Sequence, residues 1–82
     1  MSTIGKYLSD MKTYIERKLV EMRRRRPHLS VDIYYDNLRE DRNEQFVVKL
    51  HDPFGLNQHF RSNHIRKSIK MALGYLDSLR PV

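Results

Sequence analysis

Arg66, Lys67 and Lys70 are three cations within five positions of the stretch Ser62-Asn63-His64-Ile65-Arg66-Lys67-Ser68-Ile69-Lys70-Met71-Ala72-Leu73-Gly74-Tyr75-Leu76-Asp77-Ser78-Leu79. Ile65, Ile69, Ala72, Leu76 and Leu79 recur at helical steps there, so the stretch reads as one amphipathic helix. The cations lie off its apolar stripe, in the first two turns. Ser62 or Asn63 is expected to cap the helix, because their side-chain oxygens accept from orphan amides. Free N–H groups, the positive end of the helix dipole and three cations then meet at one place. A phosphate backbone is the natural partner for that combination. Cations at a helix N-terminus cost some stability, and a dedicated phosphate site accounts for their presence. His64 and Arg61 stand next to the cluster and would support it.

Other spacings carry less chemistry. His28, His51, His59 and His64 are irregularly spaced, and the chain has no cysteine to join them, so no metal site is expected. Asp32 and Asp36 share one face of an expected strand without a partnered acid or base. No nucleophile elbow, phosphate-loop glycine pattern or metalloprotease histidine pair occurs. The reading is a binding protein, not an enzyme, with no cofactor.

The totals agree with that reading. Eighty-two residues make one domain, expected to span 1–82. Sixteen Lys and Arg against ten Asp and Glu give a net charge of +6, which favours a polyanion partner. No run approaches ~18 apolar residues, so no membrane partner is expected. Met1-Ser2-Thr3-Ile4-Gly5-Lys6 lacks the basic-then-apolar layout of a signal segment, so an intracellular, cytoplasmic location is expected. The run Arg23-Arg24-Arg25-Arg26 would also suit nuclear import.

The elements that must position these groups follow from periodicity. Ile4, Leu8, Met11, Ile15, Leu19 and Met22 predict a long helix over 3–26, flanked by Tyr7 and Tyr14 and capped at Ser2 or Thr3. Its steps of four and three also resemble a coiled-coil seam, so a homodimer or a protein partner through this first helix is an alternative. Arg23 to Arg26 complement the dipole at its end, and Pro27 stops it. Alternation predicts strands over 29–36 and 45–51, joined by the polar loop 37–43. Tyr35 is expected in the core beside Val31 and Ile33, and Tyr34 outside. Asp52-Pro53-Phe54-Gly55 is a tight turn. A third strand over 56–61 turns Leu56 and Phe60 inward and Asn57, His59 and Arg61 outward. The closing helix spans 63–79, and Arg80-Pro81-Val82 frays. The expected fold class is α+β, with order α-β-β-β-α and a three-stranded antiparallel sheet carrying both helices on one face.

This order and the last helix resemble the double-stranded RNA-binding domain. Arg66-Lys67-Ser68-Ile69-Lys70 is similar to that family's Lys-Lys-x-Ala-Lys motif, with Ile69 where alanine is usual. Ala72 and Gly74 match its small residues, and Leu76 an apolar one. Phe46-Val47-Val48-Lys49-Leu50 resembles its second strand. The family's Gly-Pro-x-His is absent from 37–43, and His59-Phe60-Arg61-Ser62-Asn63 replaces its glycine-rich approach to the last helix. The resemblance implies that duplex RNA is read by shape, with Arg66, Lys67 and Lys70 on phosphates and His64 and Arg61 in support. It implies minor-groove contacts by Lys12, Glu16 and Lys18 of the first helix. Arg39 and Arg42 would touch phosphate in place of the missing loop histidine. Such a protein could mask duplexes from nucleases or sensors. Two other readings stand beside it. One is a small regulator of the viral or phage type, working through protein contacts of the first helix. The other is a DNA-binding sheet that uses Asn57, His59 and Arg61.

Overall fold

The computed structural model describes the backbone of residues 3–79 and the side chains of 10–79. The chain runs α1 (Thr3–Arg25), β1 (Ser30–Tyr35), a 3-10 turn (Arg42–Glu44), β2 (Phe46–His51), β3 (Asn57–Ser62) and α2 (Ile65–Ser78). The expected α-β-β-β-α order is therefore the fold. The cap at Ser2 or Thr3, the side chains of Ile4, Tyr7 and Leu8, and the fraying of Arg80-Pro81-Val82 lie outside the described residues.

The sheet is a meander of order β1-β2-β3, antiparallel throughout. Val31 and Ile33 pair with Leu50 and Val48, so the apolar alternation of two strands falls on one face. Both helices cover that face. The buried core joins Met22 of α1 and Leu29 to Val48 and Leu50 of β2 and to Ile69, Ala72, Leu73 and Leu76 of α2. Each fully buried aliphatic side chain is worth about 1.5–3 kcal/mol relative to exposure. The last backbone bond of α1 is Arg26 N–H to the Met22 carbonyl at 3.1 Å, just before Pro27. At the β2–β3 turn, Gly55 takes φ +100°, a conformation that L side chains rarely adopt. The Asp52 carboxylate holds this turn by accepting from the Phe54 and Leu56 amides at 2.8 and 3.0 Å.

Two contacts fix how the helices lie. Tyr14 meets Arg66, and eleven residues further along each helix Arg25 pairs with Asp77. The helices are therefore parallel and in step. α1 has eleven residues before Tyr14, whereas α2 begins one residue before Arg66.

Three details depart from the sequence reading. β3 includes Ser62, and α2 starts at Ile65, not 63. Tyr35 is 52 % exposed, outside the core. It ends β1 on the inner face, where its ring packs edge-on against Phe46 at 5.1 Å and its hydroxyl donates to Gln45 Oε1. On the outer face, Val47 is fully buried although the sheet is open there. Its cross-strand partners are Tyr34 and Arg61, and the Arg61 head is tied down by an ion pair with Asp36 at 3.1 Å.

Candidate nucleic-acid interface

The N-terminus of α2 is anchored by a buried pair of hydroxyls. Ser62 Oγ and Ser68 Oγ lie 2.6 Å apart. Ser68 Oγ also reaches the Phe46 carbonyl at 2.7 Å, and Ser62 Oγ the His64 carbonyl at 2.6 Å. Two hydroxyl protons thus serve three close contacts. The network pins the first turn of α2 to the start of β2.

This arrangement changes the cap. Ser62 ends a strand with its side chain buried, so it is not free to cap as expected, and Asn63 does not cap either. His64 is the N-cap: its backbone is extended and its Nδ1 accepts from the Arg66 amide at 3.2 Å. That bond needs an unprotonated Nδ1. The cap also occupies one of the amides that the sequence reading left free for phosphate. His64 is therefore a positioning residue for the helix opening, and its ring lies 6.4 Å from that of Phe46.

The cations sort into tied and free. Arg66 lies with its guanidinium 4.6 Å from the centre of the Tyr14 ring, which orients it along the groove between the helices. Lys67 and Lys70 are exposed and make no ion pair among the described residues. Lys18 pairs with Glu21 at 3.3 Å and lies 5.6 Å from the Tyr14 ring. Lys12 and Glu16 stand two residues either side of Tyr14, which puts them on the opposite flank of α1 from α2. They do not join the cluster. Arg17 lines a shallow hollow on α1 with Asp10, Thr13, Tyr14, Lys18 and Glu21, and has no ion pair among the described residues. The sequence reading missed Arg17 and Tyr14. Helical periodicity marks the residues that face the core, whereas the Tyr14 ring also faces Arg66 of the second helix.

Three residues assigned to phosphate lie apart from this groove. Arg61 is half-buried between Asp36 and the Glu44 carbonyl, to which it donates at 3.1 and 3.4 Å, and it covers Val47. That hydrogen bond from Arg61 holds the Asp36 carboxyl below its ordinary range. Arg39 is bound to Glu44 at 2.7 Å, and this bond raises the Arg39 pKa further. Arg42 opens the 3-10 turn, exposed and without an ion pair among the described residues. The loop 36–45 is thoroughly bonded. Asp36 accepts from the Leu38 amide, Asp41 caps the turn through the Asn43 amide, and Gln45 Nε2 donates to the Arg39 carbonyl. The outer sheet face carries Asp32 and His51, 3.5 Å apart, beside Lys49 and His59.

At the far end, the arginine run is divided. Arg25 pairs with Asp77, which raises the arginine pKa, and Arg26 pairs with Asp52 at 3.0 Å. Burial pushes the Asp52 carboxyl up. The Leu56 and Phe54 amides and Arg26 outweigh it, so the group titrates below the ordinary range. Arg23 and Arg24 stay exposed.

No family model, curated protein or solved structure matches the chain. Among the described residues no helix is long and apolar enough to cross a membrane, and no three His, Asp or Glu side chains gather as a metal ion would need.

Proposed function

We infer that the protein binds double-stranded RNA through the groove side of its two parallel helices. The observation that carries this is the cluster at the opening of α2. Arg66 lies over the Tyr14 ring, Arg17 lines a hollow with the same ring, and Lys67 and Lys70, one and four residues past Arg66, make no ion pair among the described residues. A compact set of cations suits the narrow major groove of A-form RNA, where phosphates of both strands come close together. The phosphate contacts belong to Lys67, Lys70, Arg66 and Arg17. Tyr14 and His64 position them. Arg39 takes little part, because Glu44 neutralises it. No base is read, so affinity is insensitive to sequence and falls with salt. Masking of duplexes would follow from such binding.

The test is a gel shift with a ~20-base-pair RNA duplex, the matching DNA duplex and the single strand, at two salt concentrations. Wild type should prefer the RNA duplex. The double variant Lys67→Glu with Lys70→Glu should lose binding while keeping its melting temperature. Binding that survives the double reversal, or equal weak binding to all three nucleic acids, would overturn the reading.

A second reading has one observation in its favour. The eleven residues of α1 before Tyr14 extend about 16 Å, and α2 supplies only one residue alongside them. That length, with the repeat Ile4, Leu8 and Met11 in the sequence, suits a protein partner on the first helix. Truncation to residue 11 separates the two readings, because RNA binding would persist and partner binding would not.

A further inference from the structure

Leu38 and Phe54 are the most exposed large apolar side chains among the described residues, at 89 % and 71 %. They stand at opposite ends of the sheet. Leu38 tips the loop leading into β2 and Phe54 the turn leading out of it. Neither is on a floppy segment. The Leu38 amide is held by Asp36, and the loop behind it is closed by Arg39–Glu44 and by Gln45. The Phe54 amide is held by Asp52, and its ring meets His28 edge-on at 5.7 Å. An apolar side chain displayed on a rigid, internally bonded loop has the form of a binding anchor.

The two ends differ in shape and in charge. Leu38 protrudes. Phe54 forms one wall of a hollow of about 310 Å³, completed by Arg25, Arg26, Pro27, His28 and Asp52. The Leu38 loop, 36–45, carries Arg39 and Arg42 against Asp36, Glu40, Asp41 and Glu44, two negative charges in excess, one of which Arg61 neutralises. The hollow's end carries Arg23, Arg24, Arg25 and Arg26 against Asp52 and Asp77, two positive charges in excess. Knob meets hollow and acid meets base, and both halves are on this one chain. We propose that the occupant of the hollow is Leu38 of a second copy, with Glu40 and Asp41 of that copy facing Arg23 and Arg24. Such a contact joins unlike surfaces, so it does not close on itself after two copies. It makes head-to-tail rows, or rings of three or more copies where the rotation closes.

Sedimentation of the purified protein over a range of concentrations tests this. The average mass should climb past that of a dimer without levelling there. Leu38→Asp alone and Phe54→Asp alone should each remain monomeric with wild-type melting curves. An equimolar mixture of the two should form a dimer and stop, because it holds one intact knob and one intact hollow per pair. Arg24→Glu replaces Phe54→Asp in the mixture if that variant does not fold. A wild type that stays monomeric, variants that assemble like wild type, or a mixture that stays monomeric would each overturn the proposal.

Discussion

The Arg66 guanidinium lies 4.6 Å from the centre of the Tyr14 ring, yet the Tyr14 hydroxyl is buried without a hydrogen-bond partner among the described residues. The ring and the hydroxyl thus have opposite effects. The ring supports a cation at about 0.5–1 kcal/mol, whereas an orphaned buried hydroxyl costs about 1–3 kcal/mol. Tyr14→Phe should therefore stabilise the protein by about 1 kcal/mol and raise Tm by roughly 4–8 °C. Thermal melts by circular dichroism decide it: a fall in Tm would mean that the hydroxyl is satisfied in solution.

The serine pair makes the reverse prediction. Ser68→Ala leaves the Phe46 carbonyl and the Ser62 hydroxyl short of a partner in a site closed to water. The loss should be about 1–3 kcal/mol. Amide exchange should also quicken in the first turn of α2 before it does in the sheet. Uniform quickening would argue that the network is not what pins this helix.

Salt dependence can separate free cations from tied ones. Lys67→Ala and Lys70→Ala should each reduce the salt slope of duplex-RNA binding by about one contact. Arg61→Ala should leave the slope unchanged and lower stability instead, since it uncovers Val47 and strips Asp36 of its partner. A slope that falls with Arg61→Ala would place that arginine on the RNA.

Acid should weaken the fold in a defined window. Asp36 and Asp52 both titrate below their ordinary value of 3.8 when folded. The unfolded chain then binds protons first as pH falls, so their contribution is complete above about pH 5 and is lost progressively as pH falls past 3.8 and through the lower folded values. Tm should be level above that window and drop through it. Asp52→Asn should show a lower plateau and a shallower drop, which melts at a series of pH values will show.

The elements were legible because their periods are unmixed. The four-and-three steps of α2 and the alternation of Val31, Ile33 and Val48, Leu50 each point to one structure. Boundaries and roles were less legible where one residue type suits two tasks. Serine at position 62 looks like a cap, but it continues the inward alternation of β3, and burial wins over capping. Histidine is a rare cap, so the sequence alone points His64 at phosphate and not at the Arg66 amide. Among the basic residues, composition cannot tell Arg61 from Lys70. Only the cross-strand neighbourhood, which puts Asp36 within reach of one and no carboxylate near the other, separates them. Tyr35 is a similar case: its parity is right, but it closes an edge strand, where its ring packs on Phe46 and stays half exposed.

The order in which the core is made has its own consequence. α1 is synthesised first and, among the described residues, gives the core a single fully buried side chain, Met22, while α2 gives Ile69, Ala72, Leu73 and Leu76. A nascent chain that has emerged only as far as the third strand therefore has a sheet whose apolar face is still bare. The first helix waits beside it with nothing to lie parallel to. Release from the ribosome must carry the chain past Leu76 before either can settle. A chain stalled short of that point would present an uncovered strand meander, the form in which this protein is most exposed to chaperones and to aggregation.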